Sequence, residues 1–173
     1  AHLVSQGIPA ETRVADEAGI LTTEEPGDAR ILDRSRNAVM DTIGSQAKDV
    51  VHVVAGFIGR DSAGRLTTLG RGGSDTTATF LASVLGGPAV LWKDTLGLLT
   101  GDARVVESPQ VIERIHYLDA LELAHYGLPA IAAKALHPAR RTGIEIEIRS
   151  FLSEEKPSIV GEIPSSALAI TCV

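Results

Sequence analysis

The densest concentration of candidate binding chemistry is the block Gly70 to Asp75 (GRGGSD), which leads directly into an apolar helical stretch. Glycines let backbone N–H groups approach a ligand closely, and the start of a helix adds partial positive charge. The planar guanidinium of Arg71 can hold a carboxylate or a phosphate through two hydrogen bonds. The block therefore predicts an anion-binding loop.

Asp75 narrows the class of ligand. A carboxylate beside Arg71 suits a ligand that carries both charges, such as an amino acid, with Arg71 on its carboxylate and Asp75 on its ammonium. The block is neither a Walker A loop nor a dinucleotide fingerprint, because no Gly-Lys-Ser/Thr follows and Asp75 stands where a third glycine would be needed. A structural interpretation stays open, in which Ser74 or Asp75 caps the helix, Arg71 forms a surface ion pair and the glycines form a tight turn.

A second polar cluster, Trp92 to Arg104 (WKDTLGLLTGDAR), follows an apolar run. Ligands of α/β proteins usually bind at the carboxyl ends of strands. Lys93 and Arg104 could neutralise phosphates, and Asp94 or Asp102 could orient a ribose hydroxyl or a metal ion. The alternative is a charged surface loop.

A third cluster, Lys134 to Pro138 (KALHP), says little by itself. Pro138 is expected to end an element, and His137 is expected to be packed or hydrogen-bonded rather than catalytic. The five histidines and single cysteine make no zinc spacing, so no metal site is predicted.

The elements that must position these clusters alternate between strands and helices, which predicts an α/β layered fold. Val50–Ala55 is nearly continuous apolar, as expected for a central parallel strand. Ile144–Arg149 alternates apolar and polar residues, as expected for an edge or antiparallel strand. The other predicted strands are Glu11–Asp16 and Ala89–Trp92, and the predicted helices are Arg34–Ala47, Ser74–Leu85 and Tyr117–Tyr126, the last with Gly127 as its C-cap.

Composition excludes several partners. The 173 residues include 16 basic and 22 acidic side chains, giving a net charge of -6, and only 3% aromatic residues. A basic footprint and a stacking platform are both lacking, so nucleic acid is not an expected partner. No apolar run approaches the roughly 18 residues of a membrane span. The single Cys172 cannot form an internal disulfide, so a reducing compartment such as the cytoplasm is expected.

The three clusters, with the intervening segment Tyr117 to Gly127 (YLDALELAHYG), together resemble the aspartokinase branch of the amino-acid kinase family. The resemblance implies a three-layer αβα sandwich with a mainly parallel central sheet, here incomplete. It also implies phosphorylation of the L-aspartate β-carboxylate by ATP with Mg²⁺, the first step toward lysine, threonine and methionine. A homo-oligomeric full-length protein is expected, located in the cytoplasm, or in a plastid if the source is a plant.

Site roles follow from the same resemblance. Arg71 matches the arginine that grips aspartate, with Gly72, Gly73, Ser74 and Asp75 completing that wall, and Arg71 and Asp75 are assigned to the catalytic site. The residues implied for ATP binding are Lys93 and Asp94 at the adenine-ribose pocket, Leu99 in the nucleotide loop, Arg104 on the phosphate side, and Lys134.

Departures from the family pattern keep an alternative open. Leu99 stands where members usually carry Tyr, and Ala103 where they carry Pro. The phosphoryl-cradling Lys-Phe-Gly-Gly loop would lie upstream of Ala1, so the 173-residue chain alone is expected to be inactive. Residues 1–160 are interpreted as the carboxyl-terminal, nucleotide-binding part of the catalytic domain, and 161–173 as a linker and the possible first strand of a regulatory ACT domain. The alternative is a non-catalytic kinase-like module that binds a nucleotide or a partner.

Overall fold

Strands and helices alternate along the chain, as the sequence predicts for an α/β fold. The computed structural model describes residues 1–45, 49–102, 104–126, 130–153 and 156–164. The chain divides after Thr77 into two compact units, Ala1–Thr77 and Ala78–Val173. The predicted linker and ACT strand at 161–173 lie largely outside the described residues.

The first unit contains two small sheets and short helices. Strands β1 and β2 pair in parallel, with Ala10 opposite Val51, and β3 and β4 form an antiparallel hairpin, with Ile58 opposite Thr68. The elements are α1 (His2–Ser5), β1 (Ala10–Arg13), a 3-10 turn (Ala15–Ala18), α2 (Ser35–Val39) with a π-helical turn (Met40–Gly44), β2 (Val51–Val54), β3 (Ile58–Arg60) and β4 (Leu66–Thr68).

Several predicted boundaries in this unit change. The strand predicted over Glu11–Asp16 ends at Arg13 because the chain turns into the 3-10 segment. Strand β2 is parallel, as predicted, but the predicted central position is wrong, because among the described residues its sheet consists of β1 and β2, and Val51 and Val53 are 42% and 46% exposed. The helix predicted over Arg34–Ala47 begins at Ser35 and widens to π-helical geometry from Met40, and its last predicted turn reaches residues outside the described part.

The β3–β4 hairpin, which leads into the glycine block, is fastened by one buried carboxylate. Asp61 accepts hydrogen bonds from the backbone N–H groups of Ala63 and Arg65, both at 2.9 Å, and from Arg65 Nε at 2.7 Å. Burial by itself would raise the pKa of Asp61, but these hydrogen bonds outweigh it and hold the pKa below its usual value. The ionised carboxylate therefore shapes the turn.

The second unit is built on a four-stranded sheet in the order β5-β7-β8-β6. Strands β5 and β7 run parallel, as do β6 and β8, whereas β7 and β8 are antiparallel. The prediction that Ile144–Arg149 forms an edge or antiparallel strand is confirmed only in part: β7 pairs antiparallel with β8 but parallel with β5, and with a strand on each side it is not at an edge. Helix α3 (Gly73–Leu85) enters this unit, followed by β5 (Ala89–Lys93), β6 (Arg114–His116), α4 (Tyr117–His125), α5 (Ala133–Thr142), β7 (Ile146–Ser150) and β8 (Ser158–Gly161).

The core of this unit joins the sheet to α4 and α5. Leu123 and Leu136 from the helices and Ile146 and Ile148 from β7 are at most 1% exposed. Tyr117 is fully buried, and its hydroxyl donates a hydrogen bond to the carbonyl of Ile144. Burial of its aromatic ring raises the pKa of Tyr117, as do the nearby carboxylates of Glu162 and Glu145. Helix α4 is therefore locked to the segment that enters β7.

Two predicted helix ends have different outcomes. Helix α4 ends at His125, and the predicted C-cap Gly127 lies outside the described residues. The expectation that Pro138 ends an element is wrong, because α5 continues through it to Thr142. Pro138 removes one backbone hydrogen bond, but Ala135, Leu136 and Ala139 are fully buried, and burial of this apolar face outweighs the loss. Across the described residues, the helices lack the combination of length and apolar character that a membrane crossing requires.

Candidate functional site

The glycine block forms a tight loop between β4 and α3. Gly70 and Gly72 have left-handed φ angles of +70° and +72°. A Cβ on Gly70 would lie 2.6 Å from the carbonyl oxygen of Gly27, and one on Gly73 would lie 2.8 Å from the Phe57 ring. The glycines are therefore required both by backbone conformation and by close packing.

Two threonines of the first helical turns hold this loop. Thr76 Oγ1 donates to the carbonyl of Gly72 at 2.8 Å, and Thr77 Oγ1 donates to the carbonyl of Gly73 at 3.0 Å. Thr77 Oγ1 also accepts the backbone N–H of Phe57 at 3.2 Å, and Phe57 itself has the unusual φ of +74°. Sequence reasoning missed these supports, although the Thr76-Thr77 pair directly after the block was a visible signal.

The predicted capping residues lie elsewhere in the helix. The backbone N–H of Thr76 donates to the carbonyl of Gly72 at 2.9 Å, which makes Gly72 the N-cap. Ser74 and Asp75 are thus in the first turn of α3, and the prediction that one of them is the N-cap is wrong. The glycine that precedes the helix takes this position because it also supplies the left-handed turn.

Solvent reaches the polar side chains of the block. Arg71 and Ser74 are exposed, and Asp75 is half-buried. Arg71 stands between two left-handed glycines at the amino end of a helix of 13 residues, where the helix dipole favours negative charge. The loop, the dipole and the guanidinium all favour a carboxylate or phosphate.

The second cluster starts at the carboxyl end of β5, in the other compact unit. Lys93 is the last residue of β5, opposite Ser150, and its backbone carbonyl accepts the N–H of Phe151 at 3.1 Å. Lys93 and Asp94 both lie at the carboxyl end of β5, where the sequence predicts them. Lys93 is half-buried and Asp94 is exposed. Leu99 is half-buried and forms a β-bridge with Val111.

The loop after β5 closes against the segment that precedes β6. The N–H of Ile112 donates to the carbonyl of Leu98 at 2.8 Å, and the N–H of Thr100 donates to the carbonyl of Gln110 at 2.9 Å. A cavity of about 450 Å³ opens beside the loop, with Leu96 in its wall. Its other lining residues are Pro109, Gln110, Val111, Glu113 and Lys156, and sequence reasoning did not anticipate it.

Arg104 is paired with its neighbour. Its Nη2 lies 2.6 Å from Asp102 Oδ2, and its backbone N–H donates to Asp102 Oδ1 at 2.9 Å. Hydrogen bonds from the Arg104 side chain, followed by that backbone N–H, lower the pKa of Asp102 to about 2. The Arg104 side chain is 80% exposed, so its ion pair with Asp102 is open to water and screened by it.

Lys134 and His137 lie on α5 and differ in accessibility. Lys134 is half-buried in the first turn of the helix, whereas His137 is exposed. The sequence predicts that His137 is packed or hydrogen-bonded; its exposure shows that it is not packed, and the hydrogen-bonded alternative stays a prediction. Lys134 keeps its candidacy as a phosphate-binding cation, and it belongs to the same compact unit as Lys93 and Arg104.

A protein-built metal cage is not found in the described part of the chain. Among these residues, His, Cys, Asp and Glu side chains do not come together in groups of three or more that could hold an ion. Mg²⁺ commonly binds through substrate phosphates with few protein ligands, and exposed carboxylates such as Asp94 suit that arrangement.

Comparison with known proteins places these observations in a family. Residues 1–150 match the model of the amino acid kinase family. The chain is 35% identical to an aspartokinase of Thermus thermophilus over 94% of its length, and 38% identical to an aspartokinase of Bacillus sp. MGA3 over 92%. It spans about two fifths of these relatives, 40% and 38% of their lengths.

A solved structure agrees with the sequence matches. E. coli aspartokinase III in complex with aspartate and ADP superposes with a TM-score of 0.84 at 28% identity. The match covers 95% of this chain and 37% of that protein. The predicted resemblance and the predicted α/β kinase fold are thereby confirmed.

Proposed function

The chain belongs to the amino acid kinase family, and we propose that it supplies substrate- and nucleotide-binding parts of an aspartate kinase. In this reaction a β-carboxylate oxygen of L-aspartate attacks the γ-phosphorus of ATP. The bond from that phosphorus to the β,γ-bridging oxygen breaks, giving 4-phospho-L-aspartate and ADP. The chemistry is one of alignment and charge compensation rather than covalent catalysis.

One observation carries the proposal: the structure of the Gly70–Asp75 loop. Its glycines are held by left-handed backbone angles and by contacts that exclude a Cβ, and the loop presents an exposed Arg71 at the start of α3. That arrangement suits a small amino acid that carries two carboxylates and one ammonium group. Arg71 would bind a carboxylate of aspartate, with Gly72, Gly73 and Ser74 shaping the wall and Asp75 lending opposite charge for the ammonium group.

The nucleotide side of the proposal rests on the second unit. Lys93 is the last residue of β5, Asp94 follows it, and Leu99 forms a β-bridge with Val111. In our proposal these three face the adenosine, whereas Arg104 and Lys134 supply charge for the phosphates. Mg²⁺ would travel with ATP, held mainly by phosphate oxygens, and would compensate the charge that develops on the transferred group.

The proposal is tested in the complete protein that contains this chain. Aspartate-dependent ADP release would be followed for the wild type, for Arg71→Ala, and for Arg34→Ala as a control that removes an exposed arginine elsewhere in the same unit. Removing a charged partner of a substrate carboxylate typically costs about 1.5–3 kcal/mol, or roughly 10- to 100-fold. We expect Arg71→Ala to lose about that factor in kcat/KM for aspartate while its Kd for ATP changes little.

The outcomes separate the two readings of the sequence. Equal losses toward aspartate and ATP would contradict the role given to Arg71. A wild-type protein that binds ATP but releases no ADP with aspartate would support the non-catalytic module, for which Leu99 in place of an aromatic residue is the motivating observation.

A further inference from the structure

The loop that carries Lys93, Asp94 and Leu99 is fastened by a side chain far away in sequence. Ser158, the first residue of β8, is fully buried. Its Oγ accepts the backbone N–H of Leu98 at 2.9 Å, across 60 residues of sequence. Leu98 is itself 1% exposed, so its N–H is shielded from water and depends on this partner.

The adjacent glycine shows how closely the loop passes over this hydroxyl. Gly97 has a φ of +121°, and a Cβ added to it would lie 2.7 Å from Ser158 Oγ. The loop backbone therefore rests directly on the serine, in a conformation that L side chains rarely adopt. Because Gly97 has no side chain, the hydroxyl of Ser158 can occupy the space beside it and accept the hydrogen bond from Leu98.

Two further contacts of this loop are made by the backbone. Phe151 N–H binds the carbonyl of Lys93 at 3.1 Å, and Ile112 N–H binds that of Leu98 at 2.8 Å. Such bonds survive side-chain substitution, whereas the bond at Leu98 N–H depends on the Ser158 hydroxyl. Ser158 is thus a point at which a single substitution can release the loop while the sheet stays paired.

We propose that Ser158 is a positioning residue for nucleotide binding, which acts by holding the Leu98 amide and so the loop Lys93–Leu99. The inference rests on the proposed nucleotide role of this loop. Ser158 touches no reacting group in this account, and it acts only through Gly97 and Leu98. Its loss leaves a buried donor unpaired, so the loop shifts to reach water and the nucleotide-binding residues lose their arrangement.

The test compares three substitutions in the complete protein. Ser158→Ala removes the acceptor, and Ser158→Thr keeps it. Ser35→Ala is the matched control, because Ser35 is also fully buried and its Oγ accepts a backbone N–H, that of Leu21 at 2.9 Å, in the first unit. Both alanine variants should lose stability, so stability alone does not distinguish a positioning role.

Two measurements do distinguish it. An unpaired buried donor shifts an equilibrium by roughly 5- to 100-fold, and we expect Ser158→Ala to raise the Kd for ATP within that range. Ser158→Thr should restore most of the affinity, and Ser35→Ala should leave it within about twofold. Amide hydrogen exchange at Leu98 should be slow in the wild type and at least tenfold faster in Ser158→Ala.

Each outcome has one meaning. Unchanged ATP affinity in Ser158→Ala would overturn the positioning role, and so would fast exchange of the Leu98 amide in the wild type. The exchange measurement on the wild type can be made even if Ser158→Ala does not fold. A wild type with slow Leu98 exchange that fails to bind ATP would instead overturn the proposed nucleotide function of the loop.

Discussion

Replacing Gly70 by alanine tests whether the anion-binding loop is shaped by tertiary contact or by backbone freedom alone. Gly70 has a φ of +70°, and Gly64, in the β3–β4 hairpin, has a nearly equal φ of +77°. An alanine at position 64 would meet nothing within 4 Å, whereas at position 70 its Cβ would lie 2.6 Å from the carbonyl oxygen of Gly27. The pair separates the two effects.

The expected magnitudes follow from these distances. A left-handed conformation costs an L residue about 1–2 kcal/mol, and both variants incur this cost. The Gly70 variant must also displace backbone, not the mobile end of a side chain, and such overpacking typically costs about 1–3 kcal/mol more. We expect Gly64→Ala to lower the free energy of unfolding by about 1–2 kcal/mol and Gly70→Ala by about 2–5 kcal/mol, within the roughly 5–15 kcal/mol of a typical domain.

Urea unfolding of both variants measures the difference, and aspartate kinetics show whether it reaches the site. Gly70→Ala should raise the KM for aspartate because the backbone shift moves Arg71, whereas Gly64→Ala should leave that KM unchanged. If the two variants lose equal stability, the close approach to Gly27 is not what requires glycine. If stability differs but the aspartate KM does not, the loop does not position Arg71.

Three further changes test the remaining parts. Leu99→Tyr should tighten ATP binding several-fold, because an aromatic contact adds about 0.5–1.5 kcal/mol, and calorimetric titration with ATP measures it. Asp102 should titrate at about pH 2 by carboxyl NMR, below the ordinary 3.8, and Arg104→Gln should return it toward that value. Because the folded pKa is depressed, the stability from this pair is present above about pH 4 and is lost as the pH falls through the folded pKa. Leu136→Ala should lower the unfolding free energy by about 2–5 kcal/mol, while the exposed neighbouring change His137→Ala should stay within about 0.5 kcal/mol in the same urea assay.

Local patterns predicted the elements that have local causes. The apolar runs of β2 and β5 and the helical periodicity of α3 and α4 are visible in sequence, and their observed bounds differ by about one residue. The predicted N-cap failed because Gly72, which serves the left-handed turn, also accepts the first helical hydrogen bond. The end predicted at Pro138 failed because burial across α5 outweighs one missing backbone bond. In the first case one glycine serves both the turn and the helix cap, and in the second case tertiary burial outweighs the conformational preference of proline.

The same limit explains why the support of each candidate site stayed hidden. The composition of both loops can be recognised in the sequence, since each loop adjoins a strand and contains glycine and a basic residue. The atoms that each glycine contacts cannot be predicted from the sequence: Gly70 packs against the carbonyl of Gly27, and Gly97 packs against the hydroxyl of Ser158. Neither partner carries charge or belongs to a motif.

Both loops are therefore positioned in the same way, by a glycine that lets the backbone settle on a partner distant in sequence. The nearby basic residue, exposed Arg71 or half-buried Lys93, is positioned by that contact. It follows that substitutions at Gly70, Gly97 and Ser158 should alter binding while every charged residue of the site stays intact, and that comparing only the charged residues of two relatives would overlook the difference.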